Sequence, residues 1–362
     1  MMSSATPMLR LDAEAMRSNI QTMDAWCATR SVELAPHIKT TMSRQIVAAQ
    51  LAAGARGVTV ATADQAALAV DWGAREVLVA NTVVDEESLR RLATLPATVR
   101  IFVDSIEGVR AAAGHDLGAL VDVGTTHNGR GGVRTIEEAR AVALAVVSAS
   151  GLRLEGVAGY EGVVPNDRGA YLKWVEEHCA LVRAVFFDLL DSFETTTPIF
   201  SLGGSAYPDR AVAAMPTDVE VPGIVRLLRS GCYVTHDHGT YAAVSPIDGL
   251  LPALTVRTLV TSLPEPGLAV LNAGKRDLPY DAGLPVVLSG PVLSGPVDAT
   301  IRQLYDHHAV LVGQLGDLRV GDTVDLGISH PCSAFDRWPR FVVTDGAGVE
   351  VDVWETDFSR LV

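Results

Sequence analysis

Cysteine is scarce in this chain. Its 362 residues hold four (Cys27, Cys179, Cys232 and Cys332), scattered and without a C-x-x-C pair, so the spacing is not that of a disulfide framework. A chain of this size needs no such framework, and a reducing compartment is the default expectation. Long apolar runs are missing as well. None reaches the roughly 18 residues of a membrane span, and the opening MMSSATPMLRLDAEAM has neither the basic start nor the apolar stretch of a secretory signal. The expected location is therefore the cytoplasm. Basic residues are in deficit: 29 Lys and Arg stand against 43 Asp and Glu, a formal net charge of -14. Nucleic acid and anionic membranes would both be repelled, so neither is expected as a partner. The deficit does not exclude a small anionic ligand, because a pocket can be locally positive on an acidic protein.

What the chain does have is alternation. From Leu9 to about Val244, short apolar runs (57–61, 76–80, 100–104, 120–124, 156–160, 198–201) are separated by stretches rich in Ala, Arg and Glu that suit helices. Each run is too short for a helix, so βαβ units are the natural reading. Six to eight of them over roughly 235 residues fit a (β/α)8 barrel better than an open sheet. After Ser245 the texture becomes β-rich with Pro and Gly turns, and VVTDGAGVEVDVWET carries a hairpin signal around Asp345-Gly346. The expected fold class is α/β: an N-terminal (β/α)8 barrel over residues 9–244 and a C-terminal β-domain over 245–362. Residues 1–8 are expected to form an arm or strand beside the β-domain.

Within Leu34-Ala35-Pro36-His37-Ile38-Lys39-Thr40, Lys39 falls at the end of a short apolar strand, ahead of the helix-like MSRQIVAAQLAAG. Two readings stand side by side. It is a surface lysine at a helix start, or it is a partly desolvated amine at the carboxyl end of a barrel strand, where barrel enzymes keep their chemistry. Desolvation lowers a lysine pKa and frees the amine for imine formation.

The run Pro36-His37-Ile38-Lys39-Thr40 resembles the cofactor-lysine motif of the fold-type III pyridoxal-phosphate (PLP) enzymes, particularly the D-threonine aldolase and D-serine dehydratase family. The resemblance covers nearly the whole chain through separated motifs and implies an alanine-racemase-like PLP-binding barrel followed by a β-domain. Lys39 would then carry PLP. Ser201-Leu202-Gly203-Gly204-Ser205 resembles the phosphate loop, and paired glycines at a strand end do let backbone amides approach a phosphate. Arg229-Ser230-Gly231-Cys232-Tyr233 resembles the segment whose amides close over the same phosphate, with Gly231, Cys232 and Tyr233 as contacts. Gly159-Tyr160-Glu161-Gly162 would put Tyr160 beside the cofactor. The stretch from Asp122 through His127, Asn128 and Arg130 to Val133 would bring Arg130 to the pyridine nitrogen, where a guanidinium weakens the ring as an electron sink. The family often has Arg and His where this chain has Ala35 and Thr41.

Ser329-His330-Pro331-Cys332 sets an imidazole and a thiol two residues apart, on one side of an extended strand. Spacing alone does not make a metal site. The resemblance implies that His330 and Cys332 bind a divalent ion, with zinc favoured by the thiolate and Mn or Mg possible. It also implies that His308 in Asp306-His307-His308 is a catalytic histidine near that ion. His236 and His238 could touch a substrate carboxylate. The implied activity is a PLP- and metal-dependent lyase on a β-hydroxy-D-amino acid. Cys332 tilts it towards dehydration and deamination, as in D-serine dehydratase, with retro-aldol cleavage as in D-threonine aldolase the alternative. Racemisation and non-catalytic PLP binding rank below both. The family implies a homodimer.

Overall fold

The computed structural model describes residues 5–127, 129–163, 165–296 and 298–358. Asn128 and residues 1–4 of the expected arm lie outside the described residues. The chain begins with strand β1 (Met8–Asp12) and turns at once into helix Ala13–Ala28. Asp12 makes that turn by accepting from the amides of Glu14 and Ala15 at 2.9 and 3.0 Å, which satisfies two of the helix's unpaired N–H groups.

Eight parallel strands follow: β2 (Glu33–Leu34), β3 (Val58–Val60), β4 (Glu76–Thr82), β5 (Thr98–Val103), β6 (Leu117–Val123), β7 (Leu152–Gly159), β8 (Ile199–Leu202) and β9 (Val225–Leu228). They pair in the order β2-β9-β8-β7-β6-β5-β4-β3. A parallel bridge between His37 and Thr59 joins the two ends of this row, and the ring is thereby a barrel. Its interior is a small apolar cluster of Ala35, Leu78, Phe102, Leu120, Ala158, Ile199, Val225 and Leu227. Towards the amino ends of the strands, Arg100 donates to Glu155 at 2.6 Å and to Glu76 at 2.8 Å, and Arg56 reaches Glu76 at 3.1 Å. Charge closes that end, and the carboxyl ends of the strands are left for the site.

The second sheet holds β1 with β10 (Leu254–Glu265), β11 (Leu268–Leu271), β12 (Val286–Ser289), β13 (Ala299–Leu304), β14 (Ala309–Gly313), β15 (Thr323–Gly327), β16 (Arg340–Thr344) and β17 (Glu350–Glu355). The expected hairpin around Asp345-Gly346 is β16–β17, paired antiparallel. β1 runs antiparallel to β10 and parallel to β16. Its residues Leu9–Asp12, placed with the barrel on sequence alone, therefore lie in the second sheet. Among the described residues no helix is long and apolar enough to cross a membrane.

Candidate active site

A cavity of about 350 Å³ opens over the carboxyl ends of the barrel strands, and it draws its wall from both domains. After β2 the chain makes one 3-10 turn, Ile38–Thr40, with Ile38 buried beneath it. This turn presents Lys39 to the cavity. Much of the lysine's surface is accessible, but what it faces is the cavity. The surrounding walls desolvate the ammonium and lower its pKa, with Arg130 and Arg229 pushing the same way against Cys332 and Cys232. Another cleft, about 640 Å³, lies on the outer helices and is lined by Arg140, Asp188 and their neighbours. Arg140 and Asp188 already satisfy each other there, and no strand end contributes, so the lysine cavity is the candidate.

After β8, Gly203 adopts φ +104, and a Cβ on it would fall 2.2 Å from Leu228 Cδ1. A Cβ on Gly204 would meet Tyr160 Cε2 at 2.7 Å, so the ring edge closes on the backbone there. Only glycine allows both approaches. Across the cavity, a Cβ on Gly231 would sit 2.2 Å from the His37 carbonyl. Among the described residues no protein acceptor takes up the amides of Ser205, Gly231 or Cys232. Unpaired amides converging on a cavity are what an anion such as a phosphate needs. The Gly204 amide is occupied: it donates to Glu161 Oε1 at 2.7 Å, while burial raises the pKa of that carboxyl.

Arg229 forms the buried floor. It donates to Ser201 Oγ at 2.6 Å and to the Gly159 carbonyl at 2.5 Å, and its guanidinium lies over the Phe102 ring at 5.2 Å. Burial pushes the nearby Asp122 carboxyl up to about 6, a rise that Arg229 restrains. Arg130 also lines the cavity, but it is exposed.

The β-domain supplies the far wall through the single turn Pro331–Ser333 after β15. Cys332 lines the cavity, and its Sγ lies 3.3 Å from Cys232 Sγ. A hydrogen bond from Cys232 and the neighbouring His330 bring the Cys332 thiol down to about 5 against the opposing effect of burial. Burial works to lower the His330 pKa, but Cys332 and Asp281 overcome it and raise it to about 9. Asp281 Oδ2 sits 2.7 Å from His330 Nδ1, the arrangement that orients a metal-binding imidazole. Among the described residues no group of three or more His, Cys, Asp or Glu is gathered as a metal site. What is present is a two-donor set, the His330 imidazole and the Cys332 sulfur, which a cation would bind in their deprotonated forms.

Of the residues expected at the site, Lys39, Arg130, Tyr160, Gly203, Gly204, Ser205, Gly231, Cys232 and Cys332 meet in this cavity. Ser201 is buried beneath it, holding Arg229 and donating to the Leu227 carbonyl. Tyr233 faces the core, where its hydroxyl accepts from Gln50 at 3.0 Å. His330 is placed behind Cys332. His308 is not brought to the cavity: it is exposed on the turn between β13 and β14. That turn is held away by bonds from the Lys275 and Arg276 amides to the carbonyls of Tyr305 and Asp306. His236 and His238 do not line the cavity either. Asp237 between them caps helix Thr240–Val244, accepting from the amides of Gly239, Tyr241 and Ala242. Sequence reasoning gave no separate role to Arg229, Asp122, Phe102, Asn81, Thr82 or Tyr241, all of which line the cavity.

Residues 11–225 match the family model for the alanine racemase N-terminal domain, and residues 253–344 match the one described as Putative serine dehydratase domain. The chain is 28% identical to a D-threonine aldolase from Arthrobacter sp over 98% of its own length and 93% of that protein. The solved D-threonine aldolase of Filomicrobium marinum superposes with a TM-score of 0.85 at 27% identity, covering 99% of this chain and 97% of that one. D-threo-3-hydroxyaspartate dehydratase from Delftia sp. HT23 is 26% identical over 97% of this chain and 96% of that protein. Its structure gives a TM-score of 0.80, and a variant with a cysteine changed to alanine is known in a metal-free form.

Proposed function

The chain belongs to the alanine-racemase-like, fold-type III family of PLP enzymes, and from that premise we propose that it is a lyase acting on β-hydroxy-D-amino acids, with dehydration and deamination as its reaction. The observation that carries this is Cys332, with its lowered pKa, on the wall of the cavity that Lys39 enters.

Lys39 would hold the cofactor by its aldehyde carbon, and the free amides of Ser205, Gly231 and Cys232 would receive its phosphate. Tyr160 would pack against it. Two guanidiniums reach the cavity, and burial separates their roles. Arg229, on the floor, suits the ring nitrogen, the place the resemblance gave to Arg130, and Arg130, at the exposed rim, suits a substrate carboxylate instead. When bound, PLP supplies an electron sink for a bond breaking at Cα. Lys39, its pKa lowered by the cavity walls, is the amine that would take the Cα proton once the substrate amine has displaced it. His330 and Cys332 would hold a divalent ion, with Asp281 orienting the imidazole. Such an ion supplies Lewis acidity to the substrate hydroxyl. A thiolate ligand favours zinc over manganese or magnesium. The metal-free cysteine variant of the Delftia dehydratase supports the same pairing of thiol and ion. Four scattered cysteines without a framework spacing support a cytoplasmic location. A homodimer is the proposed assembly.

Retro-aldol cleavage is the second reading, favoured by the higher identity and TM-score of the aldolases. Product analysis separates the two. With D-serine, D-threonine or 3-hydroxy-D-aspartate, the PLP-loaded protein should release ammonia and an oxo-acid, while the L-enantiomers stay inert. Glycine and an aldehyde as main products would replace dehydration with aldol cleavage. Borohydride should fix the cofactor on Lys39, and a label on Lys275 instead would overturn the site. Chelator should abolish turnover and leave cofactor absorbance intact, with zinc restoring activity better than magnesium.

A further inference from the structure

We propose that Cys232 and Cys332 are a modification site, a dithiol that a peroxide-class oxidant converts to a disulfide across the two domains and that an external dithiol reverses. The two sulfurs are 3.3 Å apart, so closing to a bond of about 2.05 Å needs a movement of about 1.3 Å. Each cysteine sits on a single 3-10 turn, Cys232–Val234 after β9 and Pro331–Ser333 after β15. Short turns can make that adjustment without shifting a strand. Both thiols line the Lys39 cavity, which a molecule as small as hydrogen peroxide can enter. The other two cysteines, Cys27 and Cys179, are buried and do not line this cavity.

The chemistry balances with one peroxide. Cys332 thiolate attacks one peroxide oxygen, the O–O bond breaks, and the departing hydroxide takes a proton to become water. The sulfenic acid left on Cys332 is then attacked by Cys232 sulfur. The S–S bond forms, the S–O bond breaks, and the hydroxyl leaves as a second water with the Cys232 proton. Two thiols lose one electron each, and the peroxide is reduced to two waters. In reverse, an external dithiol attacks the disulfide by exchange and leaves both cysteines reduced. Disulfide formation rests on this geometry alone. Its expected effect, loss of turnover, rests on the reading of Cys332 as a metal ligand.

The test treats the full PLP-loaded chain with hydrogen peroxide under native conditions, with and without chelator, then alkylates and maps peptides by mass spectrometry. The expected result is a Cys232–Cys332 cross-linked peptide in the chelated sample, with Cys27 and Cys179 still alkylatable and dithiothreitol restoring all four thiols. Cys332 advancing to sulfinic acid while Cys232 remains alkylatable would overturn the proposal. So would oxidation of Cys27 or Cys179 at the same rate. Cys232→Ser should convert the cross-link into sulfinic acid at Cys332, and a protected Cys332 in that variant would equally count against the pairing. If the disulfide forms and turnover persists, the metal reading fails and the dithiol stands.

Discussion

Arg229 and Arg130 both reach the cavity, and their surroundings set what each can do. Arg229 is 4% exposed and bonded to Ser201 and Gly159, with Asp122 and Glu161 as opposing charges. Replacing one partner of a buried network leaves the others unsatisfied. Arg229→Met should therefore cost about 3 kcal/mol of unfolding free energy and weaken cofactor retention. Arg130→Met should stay within about 0.5 kcal/mol of the parent and raise KM for the amino acid. Denaturant midpoints and cofactor absorbance after dialysis check both, and equal destabilisation by the two changes would dissolve the distinction. Lys39 was singled out in sequence by the resemblance of Pro36-His37-Ile38-Lys39-Thr40, since its place at a strand end left a surface lysine equally open. Arg229 was visible only as the head of Arg-Ser-Gly-Cys-Tyr, since nothing in the neighbouring residues says that the guanidinium turns inward. Tyr233 shows the converse. The resemblance placed it with the backbone amides that close over a phosphate, and the 3-10 turn it sits on directs its side chain away to Gln50.

Among the elements, the apolar runs read from the sequence return as β3 to β8, because each is bounded by a helix cap or a glycine that ends it. Thr62, Asp85, Ser105 and Thr135 each accept from an amide in the first turn of their helix. β2 and β9 were harder. β2 has two residues, and its role as a closing strand comes from pairing with β9 and from the His37–Thr59 bridge, neither of which is local. Helix Leu172–Asp188 carries a feature that the helical pattern hides. His178 sits on its buried face, and among the described residues neither of its ring nitrogens has a partner. Burial lowers its pKa from 6.5 to about 4. Between those values the unfolded chain binds a proton that the native chain refuses, so stability falls as the pH falls through this window. The loss approaches about 3 kcal/mol at its lower end. His178→Leu, close in volume, should remove that loss. Urea midpoints of parent and variant should therefore diverge in the variant's favour between pH 6.5 and 4. Parallel curves would show that His178 accepts a proton in place.

For the whole molecule, the division into barrel and β-domain was legible from texture, but the way the chain joins them was not. β1 belongs to the second sheet through pairs such as Arg10 with Thr255 and Val342. Partners more than 240 residues distant leave no trace in the periodicity of a five-residue run. The chain thus starts in one domain, builds the other, and returns, and the cavity between them takes Lys39 from the barrel and Cys332 from the β-domain. Asn19 helps hold that closure. It is fully buried on helix Ala13–Ala28. It donates to the Val234 and Leu251 carbonyls at 3.2 and 2.7 Å and accepts from the Leu251 amide at 2.7 Å. One side chain therefore ties the first barrel helix to the turn after β9 and to the segment that leads into β10. Asn19→Leu would leave three backbone groups without partners, the Val234 carbonyl buried and the two of Leu251 part-buried, and the expected cost is about 2 kcal/mol. Asn19→Asp keeps the acceptor for Leu251 and loses both donors, so it should be destabilised as well. Trp26, Trp72 and Trp174 report on the barrel and Trp338 and Trp354 on the β-domain, so fluorescence and circular dichroism can follow each variant through urea. If Asn19 joins the domains as the bonds indicate, both probes should shift to lower urea together. A shift below about 1 kcal/mol would mean that water takes over the three bonds and that closure rests on the β1 pairing instead.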